Sequence, residues 1–252
     1  MRPQPPYRCW LGWDASQMRA WGVASSSLRL RSRVATDIHR LAMPTLQAQG
    51  LYTRPTRVEA CGLWDEISGA PMSTGHAIAR FLVPALCDYE GWALFADGDI
   101  LVLDDIGALF SLADPAYAIQ VVQHRHDPRE TVKMTGHAQT TYARKNWSSV
   151  ALFFCGHPAN RALTVGLVNT LPGRDLHRFC WLDDRLIGAL PARWNVLVGV
   201  EDDPAPAILH YTNGIPDMPG FEHSEYSDEW YAAAKKAKYD LVRPPKPMER
   251  TA

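Results

Sequence analysis

This 252-residue chain is poor in disulfide spacing, membrane-length apolar runs and excess charge, and each absence removes a class of protein. Its five cysteines stand at 9, 61, 87, 155 and 180. The number is odd, no two have C-x-x-C spacing, and the chain is too long to need staples, so they read as reduced thiols, mostly buried. No run approaches about 18 apolar residues, which excludes a membrane-spanning helix. The Pro-rich start, Met1 to Arg8, has no apolar core of a signal peptide, so a cytoplasmic enzyme is expected. Formal net charge is −1, leaving no global field to draw the chain to nucleic acid or an anionic membrane. No G-x-G-x-x-G follows the first apolar run, which argues against a dinucleotide-binding dehydrogenase. Internal repeats and low-complexity blocks are absent.

What is present is an ordinary globular composition, 46% apolar and 21% charged, long enough for one α/β domain or two small ones. Nine tryptophans are many; aromatics line carbohydrate sites, and core packing uses them equally well. Cys9–Trp13 reads as a first buried strand. Ser16 is placed to cap a helix running to about Leu30, with Met18, Trp21, Ala24 and Leu28 on one face. Val34–Leu41 reads as a second strand, and Gln47–Pro71 as irregular. A helix is expected from Ser73 or Thr74 to Cys87, bent or shortened at Pro84. Trp92–Ala96 is a continuous apolar run that Ile100–Leu103 resumes. Further strand signals lie at Ala118–Gln123, Val150–Cys155, Val196–Val200 and Ile208–Tyr211. Apolar strands without alternation imply a sheet covered by helices on both faces, an α/β fold. Residues 1–242 are expected to form one domain and 243–252 a loosely ordered Pro-rich tail.

Asp97-Gly98-Asp99 interrupts the apolar run. On an extended chain residues i and i+2 point the same way, about 6.6 Å apart. A turn at Gly98 is expected to bring them closer, because glycine accepts unusual backbone angles. Paired carboxylates repel, and a hard divalent cation, Mn²⁺ or Mg²⁺, relieves the repulsion. The bland alternative is a solvated turn. The end of a core strand is where α/β sheets place ligands, and His210 ends another apolar run as a candidate third ligand.

With these residues in view the chain resembles the retaining glycosyltransferases of family 8 and their bacterial relatives, which have a GT-A fold. The likeness runs in order through Arg80-Phe81-Leu82-Val83-Pro84, the Trp92–Val102 strand with its D-x-D motif, and Asp105–Phe110. It continues through Asn146-Trp147-Ser148-Ser149-Val150, Leu182-Asp183-Asp184, Leu190–Asn195 and His210-Tyr211-Thr212-Asn213-Gly214. The resemblance implies a nucleotide-sugar donor, with UDP as the default base, and a carbohydrate or other hydroxyl acceptor. Asp97, Asp99 and His210 would hold the metal, with Asp97 also meeting the donor beside Gly98. Arg80 would contact donor phosphate or sugar; otherwise it is an exposed helix charge. Asp183 or Asp184 would stabilise positive charge at the anomeric carbon; otherwise Asp183 caps a short helix. Asn146 and Ser148 would meet sugar hydroxyls, and Asp14 and Ser16 the nucleoside.

The chain departs from the family in three places. Ser149 stands where Gly is common, and Asp184 where Gln is common. Ile215-Pro216-Asp217 follows Gly214 where a Lys often holds the diphosphate. Lys133, Arg144, Lys145, Arg174, His177 and Arg178 form basic clusters that read as a solvated face, or as a hold for an anionic acceptor or for the diphosphate. Two other classes stay open: a metal-dependent phosphohydrolase, and a carbohydrate-binding protein without catalysis.

Overall fold

A computed structural model of the protein describes residues 2–60, 62–125, 144–241 and 243–244. Its strands are β1 (Tyr7–Trp13), β2 (Thr36–Ala42), β3 (Thr56–Glu59), β4 (Gly62–Asp65), β5 (Ala70–Met72) and β6 (Trp92–Ala96). They continue with β7 (Ile100–Val102), β8 (Ile119–Val121), β9 (Val150–Phe154), β10 (Ile187–Ala189), β11 (Val196–Leu197) and β12 (Ile208–His210). Six of them form the central sheet in the order β10-β8-β9-β6-β1-β2. Only β9 runs against the others, pairing antiparallel with β6 and β8. The expected mostly parallel sheet is therefore present.

Both faces of the sheet are dry. All five residues of β6 are buried. Its side chains alternate between two cores, Ala93 and Phe95 into one and Trp92, Leu94 and Ala96 into the other. That is why the run shows no polar alternation. Short helices from His76 to Leu86 cover one face; the helix Met18–Arg31 helps cover the other. This helix buries Ala20, Val23, Ala24, Ser25, Ser27 and Leu28, while Met18 is 59% exposed. The expected face through Met18 is thus rotated. Ala24 and Leu28 meet the central core, whereas Ala20 and Val23 meet a second one under the small sheet β11-β12-β7.

Three local expectations are corrected. The helix over 73–87 is broken into His76–Ala79, a 3₁₀ turn Arg80–Leu82, and Val83–Leu86. Pro84 has no N–H for the carbonyl one turn back, so the preceding turn tightens. The stretch called irregular contains a helix, Met43–Ala48, and the antiparallel meander β3-β4-β5. Arg243, assigned to the loose tail, is tied down by donating from Nε to the Glu222 carbonyl (2.7 Å) and by pairing with Asp228. Cys61, Lys133 and 245–252 lie outside the described residues.

A buried ion pair holds the meander. Arg54 (2% exposed) donates from Nε to Asp65 Oδ1 (2.9 Å), and Asp65 is fully buried. Arg54 Nη1 also reaches the carbonyls of Val168 and Leu171, both at 2.7 Å. Ser68 N–H donates to Asp65 Oδ2 at 2.8 Å. Burial pushes the Asp65 carboxyl up, but the Arg54 and Ser68 contacts outweigh it and hold it below the usual range. Its contribution to stability is therefore present above the unfolded value of about 3.9 and is lost as pH falls through the lower folded value. Asp65→Ala leaves a buried guanidinium without its counter-charge and is expected to cost about 3–5 kcal/mol in denaturant unfolding. The same variant should also flatten the acid limb of the stability profile; a loss under about 1 kcal/mol would show the pair to be dispensable.

Candidate active site

The D-x-D motif sits where the chain leaves the central sheet. Asp97 N–H donates to the Ser149 carbonyl (2.8 Å), the last bond to the β9 side. Three residues on, Ile100 starts β7 in the other sheet, antiparallel to β12. That register sets His210 opposite Ile100, and Tyr211 N–H donates to the Asp99 carbonyl (3.0 Å). His210 Nε2 thereby lies 3.4 Å from Asp99 Oδ1 and 3.8 Å from Asp97 Oδ2. The fold thus brings together the three residues expected to ligate a metal.

Gly98 permits this for a reason other than the expected one. Its backbone is not in the left-handed region. A Cβ there would instead lie 2.3 Å from the Gly12 carbonyl oxygen, so β1 and the motif pass too closely for any side chain. A Cβ on Gly12 would meet the His76 ring at 2.4 Å. Two glycines therefore set the spacing between β1, the motif and His76.

Arg80 is neither an exposed helix charge nor turned to solvent. It is 6% exposed, with Nη2 at 2.8 Å from Asp97 Oδ1 and Nη1 donating to the Ser148 carbonyl (2.9 Å). Its guanidinium carbon lies 4.8 Å from the centre of the Phe95 ring. His76 Nε2 adds a contact to Asp97 Oδ1 at 3.3 Å. Burial pushes the Asp97 carboxyl up, yet Arg80, then His76 and His210, hold it far below the usual range. Burial pushes the His210 imidazole down, but Asp99 and Asp97 overcome that and raise it. His76 was missed in the sequence although it stands four residues before Arg80, the spacing that puts two helical side chains on one face.

Of the other expected site residues, Ser148 joins this cluster through Arg80 and Asp14 adjoins it through Gly75, whereas Asp183 and Asp184 make their contacts elsewhere. Asn146 adopts a left-handed conformation (φ 63) before the turn leading into β9. Ser148, buried, meets His177 Nδ1 through its hydroxyl at 2.8 Å. Burial, with the Arg80 charge beside it, pushes the half-buried His177 down to about 3, which sets it apart from the basic residues near it. Asp183 accepts from the Arg185 N–H (3.1 Å) as the cap of a 3₁₀ turn. Asp184, largely exposed, pairs with Arg144, which also covers the Trp147 ring. Arg144 is thus a bridge from the Asp183-Asp184 segment to the Asn146–Ser148 turn. Asp14, and not Ser16, caps the turn before the first helix. Its Oδ1 accepts from Ser16 N (2.9 Å) and Oγ (2.6 Å), and its Oδ2 from Gly75 N (2.7 Å). Asp14 and Ser16 therefore tie the end of β1 to the start of the His76 helix.

Two carboxylates and an imidazole whose ligand atoms all lie within 4.8 Å of one another suit a single divalent cation. They are the one group of this kind among the described residues.

No protein-family model matches the chain. It is 42% identical over 231 residues to Protein CDI of Arabidopsis thaliana, an alignment covering 89% of this chain and 85% of that protein. Among solved structures it is similar to the WbbM bifunctional glycosyltransferase in its apo form, with a TM-score of 0.60 and 13% identity. That likeness covers 92% of this chain and 51% of the other, so this chain spans about half the length of WbbM. It is also similar to the galactosyltransferase LgtC in complex with donor and acceptor sugar analogs (TM-score 0.56, 15% identity), over 93% and 97% of the two chains. At such identities the likeness is one of fold: a GT-A-like central sheet flanked by helices.

Arg80→Ala removes the main counter-charge of a buried carboxylate and is expected to cost about 3–5 kcal/mol. Saturating Mn²⁺ or Mg²⁺ should restore part of that loss, because a cation at the cluster compensates the same carboxylate. Thermal unfolding with and without the metal checks this; an Arg80→Ala protein as stable as the parent would remove the pair from its central place.

Proposed function

The chain belongs to the family of the Arabidopsis thaliana Protein CDI, and we propose that it works as a metal-dependent glycosyltransferase. One observation carries this reading: Asp97 and Asp99, at the end of an inner strand of a GT-A-like sheet, are joined by the sequence-distant His210 in a set suited to one cation. In this reading residues 1–242 form the catalytic domain. The sugar donor is a nucleotide-sugar, by family resemblance a UDP-sugar, and the acceptor a carbohydrate or other hydroxyl compound. Transfer proceeds with retention at the anomeric carbon. Cytoplasmic action accords with free, buried Cys9, Cys87 and Cys155.

Charge complementarity supports a diphosphate ligand. Two carboxylates against the Arg80 guanidinium leave one net negative charge, and Mn²⁺ or Mg²⁺ held by Asp97, Asp99 and His210 turns that into one positive charge. Bound there, the cation supplies Lewis-acid neutralisation of the leaving diphosphate. The protein groups do the rest. Arg80 keeps Asp97 ionised. Asn146 and Ser148 accept and orient sugar hydroxyls, and Asp14, Ser16 and Gly98 border the nucleoside and donor. Asp183 or Asp184 supplies the carboxylate that stabilises positive charge developing at the anomeric carbon. The Arg144 bridge to the Asn146–Ser148 turn favours Asp184.

A chelator is expected to abolish transfer and slow hydrolysis of a UDP-sugar, with Mn²⁺ or Mg²⁺ restoring both. Asp99→Asn should lower turnover by about two orders of magnitude. His210→Ala should weaken Mn²⁺ binding, measured by calorimetry, by about tenfold or more while the melting temperature changes little. Unchanged Mn²⁺ binding in His210→Ala, or full turnover in chelator, would refute the proposed metal site. Release of inorganic phosphate from phosphate esters, without sugar transfer, would favour the hydrolase.

Asp183→Asn and Asp184→Asn divide binding from chemistry. The carboxylate is needed most in the transition state, so the catalytic one of the two should lose turnover far more than nucleotide affinity. Normal turnover in both variants would exclude this segment from the chemistry.

A further inference from the structure

Behind the Asn146–Ser149 turn lies a chain of polar groups that the site described above does not use. His124 follows β8, Asn195 precedes β11, and Glu201 lies just beyond it. His124 Nδ1 is 2.9 and 3.0 Å from the two Glu201 carboxylate oxygens. Its Nε2 is 2.9 Å from Asn195 Nδ2. The same Nδ2 is 2.8 Å from Ser149 Oγ, and Ser149 Oγ donates to the Asn146 carbonyl at 2.6 Å. Trp147 Nε1 donates to the His124 carbonyl at 3.0 Å, closing the loop back to the turn. Asn195 is fully buried, and Ser149 and His124 are 3% and 9% exposed.

The hydrogens can be assigned from the ends inward. Glu201 only accepts, so His124 carries its proton on Nδ1. Its Nε2 faces the Asn195 amide nitrogen, which can only donate, and so accepts from it. The Ser149 hydroxyl has one hydrogen and gives it to the Asn146 carbonyl, so it accepts the second hydrogen of Asn195. The directions in the chain are therefore set by its two accepting ends, Glu201 and the Asn146 carbonyl. The Asn195 amide oxygen is buried without a partner among the described residues. Turning the amide over would set that oxygen against the Ser149 hydroxyl, whose one hydrogen is already given to the Asn146 carbonyl.

We propose that Asn195, oriented by His124 and Glu201, is a positioning residue for the Asn146–Ser148 turn. This rests on the glycosyl-transfer reading, in which the turn faces the sugar. Asn195 fixes the one hydrogen-bond direction left to Ser149. Ser149, with Asn195 Nδ2 itself 3.4 Å from the same oxygen, then holds the carbonyl of Asn146, whose left-handed conformation asparagine adopts more readily than most residues. The proposal also explains Ser149 where the resembled family carries glycine: its hydroxyl is the link between amide and turn.

Hydrogen exchange across residues 144–150, read by mass spectrometry on the whole protein, tests the proposal without a substrate. Asparagine and glutamine at position 124 divide the histidine's two functions, since asparagine places its amide at the Nδ1 position and glutamine at the Nε2 position. His124→Asn keeps the bond to Glu201 and loses the acceptor for Asn195. His124→Gln keeps that acceptor. Asn195→Ala and His124→Asn are expected to speed exchange in the turn by about tenfold, and His124→Gln by about twofold at most, with the β6 and β9 amides unchanged. With a UDP-sugar and Mn²⁺, the first two variants should lose about tenfold in kcat while UDP affinity stays within about twofold. Equal exchange in His124→Asn and His124→Gln, or parent-like exchange in Asn195→Ala, overturns the proposal. Should Asn195→Ala not fold, the two His124 variants decide it. A turn that loosens as expected in a protein unable to use any UDP-sugar would instead refute the transferase reading and leave the positioning role standing.

Discussion

A carboxylate at the end of a fully apolar strand cannot remain ionised without a partner, and the contact between Asp97 and Arg80 meets that constraint. The guanidinium comes from the helical segment covering one face of the sheet. It rests on Phe95, one strand position beneath the motif, and reaches on to the Ser148 carbonyl. One side chain thereby joins the cover helices, β6 and the turn before β9. Replacing the pair with apolar residues would remove the desolvation penalty and the charge together. Its presence means that the fold carries an anion at this point at a cost in stability, which fits a site built to hold something positive.

The backbone obeys the same constraint. After Asp97 the chain leaves the central sheet: β9 begins at Val150, opposite Ala96, and β1 runs two residues further paired with β2 alone. It crosses beneath the Gly12 carbonyl at a distance only glycine permits and enters a second sheet, where β12 waits antiparallel. The crossing explains why a residue near the C-terminal end of the chain meets one near its middle. The antiparallel register of β7 and β12, and no local preference, decides that His210 stands beside Asp99.

Much of this was legible in the sequence because it depends on apolar continuity. The runs at β1, β6, β9 and β12 stand out, since strands buried on both faces lose polar alternation. Asp97, Asp99 and His210 stand out because each ends such a run. The meander β3-β4-β5 escaped, its strands being short, half exposed and held by Arg54 and Asp65, whose pairing is tertiary. β10 escaped because Ile187-Gly188-Ala189 carries a single large apolar side chain. Arg80 was visible as a residue but not as a buried one, since nothing local says that its charge is compensated by a strand seventeen positions on. His177 read as basic, yet its surroundings, the Phe81 ring and the Ser148 hydroxyl, come from elsewhere in the chain. Asp183 was legible both as a carboxylate and as a candidate cap, and it caps a 3₁₀ turn; that Asp14, and not Ser16, caps the first turn was not.

The two carboxylates of the motif are not equivalent, and the difference bears on how a cation would be shared. Asp97 is enclosed by Arg80, His76 and His210, and its charge is already compensated. Asp99, more exposed, has His210 as its near neighbour. A cation between them must approach a carboxylate that a guanidinium also grips, so the two positive charges are drawn to one anion and repel each other. The more exposed Asp99 and the raised imidazole of His210 therefore set much of the affinity, while Asp97 fixes position. Under the proposed function, a diphosphate arriving with the cation would supply the anionic oxygens that this crowded arrangement lacks. Under the proposed function, that makes nucleotide and metal favour each other's binding by the same factor, as linkage requires. The buried Arg80 that weakens the bare metal site is then what couples it to the sugar donor.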